Sequence, residues 1–191
     1  MININNIRNF TEDRPEGWTV FGSAADFDNL PETHREQILF LNKDAGKFIF
    51  DFSEAAHMLT GGPWDPFAKG NFKSVVKFSE FSRTPETNQQ LKKWLYSRGI
   101  PFSSWVFVLF NGSGEPMLMT WKMLIKYCRN LFEVDDVMVF DSTLNWCLFF
   151  FHEDHLFFGR DNIYNADEDQ KRMEDLNEKK KNFPQFRHPY L

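Results

Sequence analysis

Residues 145–159 read NWCLFFFHEDHLFFG, and this stretch decides the predicted fold. It holds two apolar, aromatic runs, 146–151 and 156–158, which are separated by a short polar segment. Apolar runs of this length are typical of β-strands, and a short polar link between two of them is typical of a turn. The stretch therefore predicts two strands joined by a hairpin, and a further strand is predicted before them at 134–140.

Upstream of the hairpin, the sequence predicts one covered strand and two helices. Residues 105–110 are apolar on both faces, which is typical of a strand in the middle of a sheet. Thr84 and Thr120 both suit the N-cap position, and each is followed by apolar residues at helical spacing. We therefore expect helices at 84–98 and 120–132.

These elements indicate an α+β fold in which the last three strands form an antiparallel meander. We expect a single domain over residues 1–191, with an antiparallel sheet of about four to six strands and helices packed on it. The best-defined core is predicted at 84–160. Residues 1–80 are predicted to form an irregular N-terminal part.

Three segments carry weaker signals. Leu30-Pro31-Glu32 predicts the start of a helix whose apolar side includes Ile38 and Leu41. The pattern at 47–52 fits either a strand or the beginning of a helix. The charged segment 166–182 predicts a solvated tail or an exposed helix, because residues of opposite charge recur in it four positions apart.

Phenylalanine is unusually frequent and supplies 23 of the 191 residues. A sheet of three strands cannot hide so many rings, so we expect either the N-terminal third or a protein partner to cover its second face. The mean hydropathy is −0.48, and no apolar run approaches the roughly 18 residues of a membrane helix. A membrane-spanning protein is therefore excluded.

The net charge of −5 has the wrong sign for a generic phosphate-binding surface. Lysine and phenylalanine adjoin at Phe72-Lys73 and Lys77-Phe78, a pattern that could suggest stacking on single-stranded nucleic acid. No basic groove is predicted around them, so no nucleic-acid partner is expected. The acidic balance suits a basic protein partner instead.

Cysteines and the first residues suggest the compartment. Cys128 and Cys147 are too few for a disulfide framework, so they are predicted to be buried free thiols in a reducing cytoplasm. Residues 1–8 show neither a basic segment nor an apolar segment of the signal-peptide type. We therefore expect no secretory signal and a cytoplasmic location.

The densest group of ionisable side chains is His152-Glu153-Asp154-His155, at the predicted hairpin tip. Such a group could bind a metal through His152 and His155, or could share acid–base work. The spacing differs from the His-Glu-x-x-His pattern, which places both imidazoles on one helical face. The other interpretation is a polar tip that keeps two apolar strands apart, and both remain open.

The other candidate residues have less specific patterns. His34 is expected on a solvated helix face, and His57 is expected to be a packed or surface histidine. Asp135-Asp136, before a strand, could bind a cation or lie in a solvent-facing loop. Gly112-Ser113-Gly114 lacks the spacing of a phosphate loop and is predicted to be a turn. No cofactor is predicted.

The C-terminal half resembles small bacterial families of unknown function. The resemblance lies in a tryptophan-led strand that ends in His-Glu-Asp, at 145–154, followed by the aromatic-glycine run 157–159. The segments 91–101 and 120–126 precede it in the same order. Some proteins of this kind are similar to immunity proteins of bacterial toxin systems, so the resemblance implies a bacterial cytoplasmic protein and carries no catalytic assignment.

Two functions follow as hypotheses. The first is a non-enzymatic protein-binding domain, such as an immunity-type inhibitor of a toxin-like or basic protein. Its candidate binding residues are Trp64, Phe67 and Trp146, because aromatic side chains are enriched at the centres of interfaces. The second is a metal-binding or acid–base hydrolase centred on the tip at 152–155. The sequence makes no prediction about oligomeric state.

Overall fold

The computed structural model describes residues 2–15, 21, 24–55, 66–67, 72–78, 84–110, 116–132, 135–162 and 166–185. Within these residues the chain is α+β, and eight strands form one antiparallel sheet. The strands are β1 (Thr11–Glu12), β2 (Ile38–Leu41), β3 (Phe72–Phe78), β4 (Trp105–Phe110), β5 (Met117–Thr120), β6 (Val137–Phe140), β7 (Trp146–Phe151) and β8 (His155–Asn162). The helices are α1 (Ala24–Asp28), α2 (Glu32–Arg35), α3 (Lys43–Ala55), α4 (Pro85–Tyr96), α5 (Trp121–Leu131) and α6 (Ala166–Asn182).

The strands follow the order β1-β2-β5-β4-β6-β7-β8-β3 across the sheet. The predicted meander is confirmed, because β6 pairs with β7 and β7 pairs with β8, both antiparallel. The predicted strand at 134–140 is shorter, since β6 begins at Val137, and residue 134 lies outside the described part. The prediction of about four to six strands was too low, because β1, β2 and β3 come from the part expected to be irregular and β5 directly precedes a predicted helix.

The helix predicted from Leu30-Pro31-Glu32 is a single turn, and its extension to 38–41 is wrong. Those residues form β2, where Ile38 pairs with Met119 of β5. Ile38 and Leu41 are buried there. Pairing with a strand about eighty positions along the chain outweighed the local helical pattern, and only the tertiary structure supplies that partner.

The ambiguous segment 47–52 is helical and lies within α3. Phe48, Ile49 and Phe52 are buried, while Phe50 is 40% exposed. Burial at i, i+1 and i+4 follows the helical period, because residues at these spacings share one side of a helix.

Both faces of the sheet are covered. One face packs on α4 and α5, through residues such as Leu95 and Trp121, and we call it the α4–α5 face. The other packs on α3 and on the chain before β1, through residues such as Ile7 and Phe52, and we call it the α3 face. We expected either the N-terminal third or a protein partner to cover the second face of the sheet. The structure shows that the N-terminal third covers it.

The predicted caps hold both helices of the α4–α5 face. The Thr87 backbone N–H donates to Thr84 Oγ1 at 3.2 Å at the start of α4. The Met123 N–H donates to Thr120 Oγ1 at 3.3 Å at the start of α5. Each bond satisfies one of the donors that a helix leaves open at its N-terminus.

The charged segment 166–182 is the helix α6. Leu176 is only 4% exposed, whereas Glu174, Asp175 and Glu178 are exposed. An apolar side chain therefore attaches an otherwise polar helix. Among the described helices, none is both long and apolar enough to cross a membrane.

Candidate functional site

The predicted hairpin is present, and its tip is a three-residue loop. Phe151 of β7 pairs with His155 of β8, which leaves residues 152–154 to make the turn. Asp154 closes the turn with a φ of 61°. Three-residue hairpin loops use a left-handed residue of this kind, and aspartate tolerates that conformation better than most residues.

His152 is held by Asp136, the residue that precedes β6. The backbone N–H of His152 donates to Asp136 Oδ1 at 2.8 Å, and His152 Nδ1 lies 2.8 Å from the same oxygen. Asp136 is 6% exposed, so the expectation of a solvent-facing loop residue is wrong for it. These bonds offset the cost of burying the Asp136 carboxylate, because a buried carboxylate needs hydrogen-bonded partners.

His155 and Glu153 do not join this pair. The His155 ring packs edge-on against Phe157, with ring centroids 6.3 Å apart, and its Nδ1 is buried without a hydrogen-bond partner in the described structure. Glu153 is exposed. Across the described residues, no three His, Cys, Asp or Glu side chains are grouped so that they could hold a metal ion. The tip therefore presents one oriented imidazole, His152, rather than a cluster.

The candidate binding aromatics have different settings. Trp146 is 6% exposed; its Nε1 donates to Asp141 Oδ2 at 2.8 Å, and its ring stacks on Phe158. This tryptophan therefore contributes to the core. Phe67 is half-buried and packs its ring against neighbouring aromatic rings, including Phe157. Trp64 lies outside the described residues.

The other candidate residues predicted from the sequence also differ in their surroundings. His34 is not simply solvated, because its Nδ1 lies 2.7 Å from the hydroxyl of Tyr127 on α5. Burial, followed by the charges of Lys126 and Lys122, lowers the pKa of His34 below its ordinary value of 6.5. His57 and Gly112-Ser113-Gly114 lie outside the described part of the chain.

Sequence reasoning missed β3, a seven-residue strand at the edge of the sheet with five exposed residues. It pairs with β8 along its length, from Phe72 opposite Asn162 to Phe78 opposite Leu156. Within the described chain no strand pairs with its other side. An edge strand of this kind presents a row of main-chain donors and acceptors to whatever approaches it.

The side chains of β3 are as open as its backbone. Residues 73–77 are all exposed, and Val75 and Val76 keep 44% and 42% of their surface in contact with solvent. Valines on both faces of a long edge strand make it a template for pairing with another strand. We call Phe72–Phe78, with the side that pairs with no described strand, the β3 edge.

Two arginines lie behind the β3 edge, next to the strand that it pairs with. Arg160 of β8 is opposite Ser74, and its guanidinium donates to the backbone oxygen of Arg98. The Cζ atoms of both arginines lie 5.5 Å from the centroid of the Phe158 ring. Partial burial, and then the charge of Arg160, lower the pKa of Arg98. Two like charges are thus held close together.

Four cations therefore surround this edge in a chain whose net charge is −5. They are Lys73, Lys77, Arg98 and Arg160. In the part of the chain that the structure describes, none of the four forms an ion pair. Lys77 Nζ lies 5.4 Å from the Phe157 ring centroid, which supports its stem without neutralising its charge.

A signal for this strand was present in the sequence. Phe72-Lys73 and Lys77-Phe78 are lysine–aromatic pairs, and between them lie Ser74 and two β-branched residues, Val75 and Val76. The two arginines could not be joined to it from sequence, because Arg98 lies 62 positions from Arg160.

A cavity of about 410 Å³ opens elsewhere, between α3 and the residues after α6. Its lining includes Phe48, Phe183 and the ion pair of Lys47 with Asp51, whose atoms are 2.7 Å apart. Lys47 Nζ also lies 5.7 Å from the Phe183 ring centroid. The cavity thus contains a cation whose partners are already supplied by the chain.

Comparison with known proteins finds no family model that matches this chain and no curated protein that matches it significantly.

Proposed function

We propose that this protein is a non-enzymatic protein-binding domain that receives a strand of its partner at the β3 edge. The observation that carries the proposal is the exposure of residues 73–77 on a strand whose second side has no strand partner in the described structure. Main-chain hydrogen bonds would supply affinity in this mode, and side chains on alternate positions would supply specificity.

The hairpin tip supports binding over catalysis. Of its four ionisable side chains, His152 contacts Asp136, His155 packs on Phe157 and Glu153 is exposed. Acid–base catalysis by this group would need these side chains within hydrogen-bond reach of one reacting atom. The resemblance of the C-terminal half to families similar to immunity proteins favours one kind of binding domain, an inhibitor of a toxin-like protein.

The proposal is tested by three versions of the full chain used as bait in lysate of the source cells. They are the wild type, V75D/V76D, and F50D as a matched control, because Phe50 is 40% exposed and belongs to α3 rather than to the β3 edge. A protein retained by the wild type and by F50D, but lost from V75D/V76D, is purified and recombined with the chain. We expect hydrogen exchange to slow at residues 72–78 in that complex.

An immunity-type function adds a further expected result. The partner expressed alone should arrest growth, and co-expression of the wild-type chain, but not of V75D/V76D, should restore it. Unchanged unfolding temperatures of both variants show that they are folded, since the three substituted positions are exposed. A complex that V75D/V76D leaves intact contradicts docking at the β3 edge.

A second candidate function rests on the contact between His152 and Asp136. The carboxylate oxygen at 2.8 Å orients the imidazole by its Nδ1, and the side chain is 54% exposed, so Nε2 can reach solvent. An imidazole oriented in this way can act as a general base in hydrolysis.

This hydrolase alternative predicts an activity that depends on both residues. H152A should abolish turnover of a chromogenic ester or phosphodiester, D136N should reduce it strongly, and E153A should leave it unchanged. Turnover that persists in H152A and D136N rules the alternative out. Metal analysis of the native protein tests the related idea of ligation by His152 and His155.

A further inference from the structure

We infer that the partner strand received by the β3 edge is acidic, with carboxylates two residues on either side of an aliphatic residue. This inference rests on the proposed function and names the chemistry of the partner. It is carried by charge complementarity, because Lys73 and Lys77 are exposed on the β3 edge, Arg98 and Arg160 lie beside it, and none of the four forms an ion pair with a described residue.

The spacing of the lysines defines the pattern. Lys73, Val75 and Lys77 occupy alternate positions of β3, and all three are exposed. In an antiparallel pair, directly opposed residues lie on the same face with their Cβ atoms about 5 Å apart. A strand that docks on β3 therefore places three of its own alternate residues opposite these side chains. Acidic, aliphatic and acidic residues are the complementary set.

The two arginines lie on the other face of the sheet from Lys73, Val75 and Lys77, because directly opposed residues share a face and Ser74 alternates with those three positions. Arg160 is opposite Ser74 in β8, so it is one strand further from the docked strand, about 10 Å away at the usual strand spacing. The two arginines therefore add positive charge near the β3 edge but do not face the carboxylates that Lys73 and Lys77 would meet. Guanidinium groups bind carboxylates in a bidentate way, and the Cζ atoms of Arg98 and Arg160 both lie 5.5 Å from the centroid of the Phe158 ring.

A second copy of this chain is a poor occupant of the same edge. Two β3 strands that paired about a two-fold axis at Val75 would place Lys73 of each copy opposite Lys77 of the other. Like charges directly opposed across a strand pair are destabilising. The lysines therefore disfavour the symmetric dimer while they favour an acidic strand.

Single-stranded nucleic acid also carries negative charge, but the edge favours a polypeptide. The side chains exposed between the lysines are Ser74, Val75 and Val76, which offer no ring on which a base could stack. Sequence-tolerant binding of single strands depends on such aromatic platforms. An unpaired strand edge, by contrast, supplies backbone groups that match another polypeptide strand.

The test uses disulfide-cyclised β-hairpin peptides, which present a preformed strand and so reduce the ordering cost of binding. One hairpin reads Thr-Glu-Thr-Val-Thr-Glu-Thr on its outer strand, and the matched control has lysine in place of both glutamates. Each is titrated into the wild-type chain and into K73E/K77E, and binding is followed through the backbone amide signals of residues 72–78. Oligothymidylate is titrated as a third ligand.

We expect the glutamate hairpin to bind the wild type roughly tenfold more tightly than the lysine hairpin, as a few partly exposed ion pairs would give. The order should reverse in K73E/K77E, and added salt should reduce the difference. The two charge-reversed lysines are exposed, and an unchanged unfolding temperature verifies that the variant is folded.

Each of the other outcomes overturns one stated part of the inference. Equal binding of both hairpins at β3 overturns the acidic partner and leaves strand docking standing. Absence of any change at residues 72–78 with either hairpin contradicts strand docking itself. Oligothymidylate binding that shifts the signals of Arg98 and Arg160, without hairpin binding, replaces the acidic strand by nucleic acid.

Discussion

Gly159, in the middle of β8, is required by the packing of two phenylalanines above it. A Cβ atom at this position would lie 2.6 Å from Phe72 Cγ and closer still to Phe67 Cε1. The Phe67 and Phe72 rings, with centroids 5.3 Å apart, thus use the space that the missing side chain leaves. This packing joins the first residue of β3 to the sheet, so the glycine supports the β3 edge indirectly.

We predict that G159A destabilises the protein by about 1–3 kcal/mol, the usual cost of adding a methyl group to a packed site. The loss should be smaller when G159A is introduced into F67A, because one of the two obstructing rings is then absent. Urea unfolding of the four proteins in this cycle measures both effects. A G159A variant as stable as the wild type would show that the rings do not occupy this space.

His34 makes stability depend on pH. Burial, then Lys126 and Lys122, lower the pKa of His34, whereas in the unfolded chain it returns to its ordinary value of 6.5. The unfolded state therefore takes up a proton at a higher pH than the folded state. Stability from the neutral form is present above pH 6.5 and is lost as the pH falls from 6.5 towards the lower, folded-state pKa.

The corresponding experiment compares the wild type with H34Q by urea unfolding at about pH 7.5 and about pH 5.5. We predict that the free energy of unfolding falls more steeply in the wild type, because H34Q removes the titrating group at the contact with Tyr127. The other histidines are common to both proteins and cancel in the difference. Parallel pH profiles would contradict the prediction.

At the scale of elements, the structure shows which signals are local. α4, α5, β4 and β7 were predictable, because an N-cap threonine or an apolar run on both faces is contained within the element itself. β2 was not, because its four residues fit a helix until Met119 and Leu118 are placed beside them. Short strands depend on partners that lie far away in the sequence.

The candidate site shows the same difference between features that depend on local sequence and features that depend on distant residues. The turn at 152–154 was predictable from its polar residues between two apolar runs. Its main partner, Asp136, was not, because it lies 16 positions away and precedes a different strand. The β3 edge was visible only as lysine–aromatic pairs, and its position at the end of the sheet is a property of topology.

The charged helix α6 provides a prediction at this scale. Leu176 is 4% exposed, so L176A should remove much of the contact that attaches the helix to the body. We expect a loss of about 2 kcal/mol or more and faster hydrogen exchange across 166–182. N177A, at an exposed position of the same helix, is the control. Unchanged exchange in L176A would mean that α6 is held by other contacts.

At the scale of the whole molecule, the aromatic residues are used to cover the two faces of the sheet. The edge strands are therefore the parts of the sheet at which we expect a partner to bind. The α4–α5 face and the α3 face are both covered, so most of the phenylalanines described in the strands are occupied by internal packing. Among the described strands, β1 and β3 are the two at the edges, and β1 has only two residues. The longer edge is β3, and five of its seven residues are exposed.

Charge is distributed unevenly over this framework. The chain carries a net charge of −5, yet Lys73, Lys77, Arg98 and Arg160 gather at the β3 end of the sheet. Overall charge governs long-range attraction, whereas a local group of cations governs which strand fits. The expectation of a basic partner and the proposal of an acidic docking strand therefore concern different parts of a partner's surface.

Amide hydrogen exchange of the free protein, resolved by residue, tests the central claim that the β3 edge is open to a partner strand. Alternate amides of Phe72–Phe78 point away from β8, and we predict that they exchange far faster than their neighbours bonded to β8. On addition of the glutamate hairpin, these same amides should become protected. Uniform slow exchange along β3 in the free chain would show that the edge is already covered and would contradict the claim.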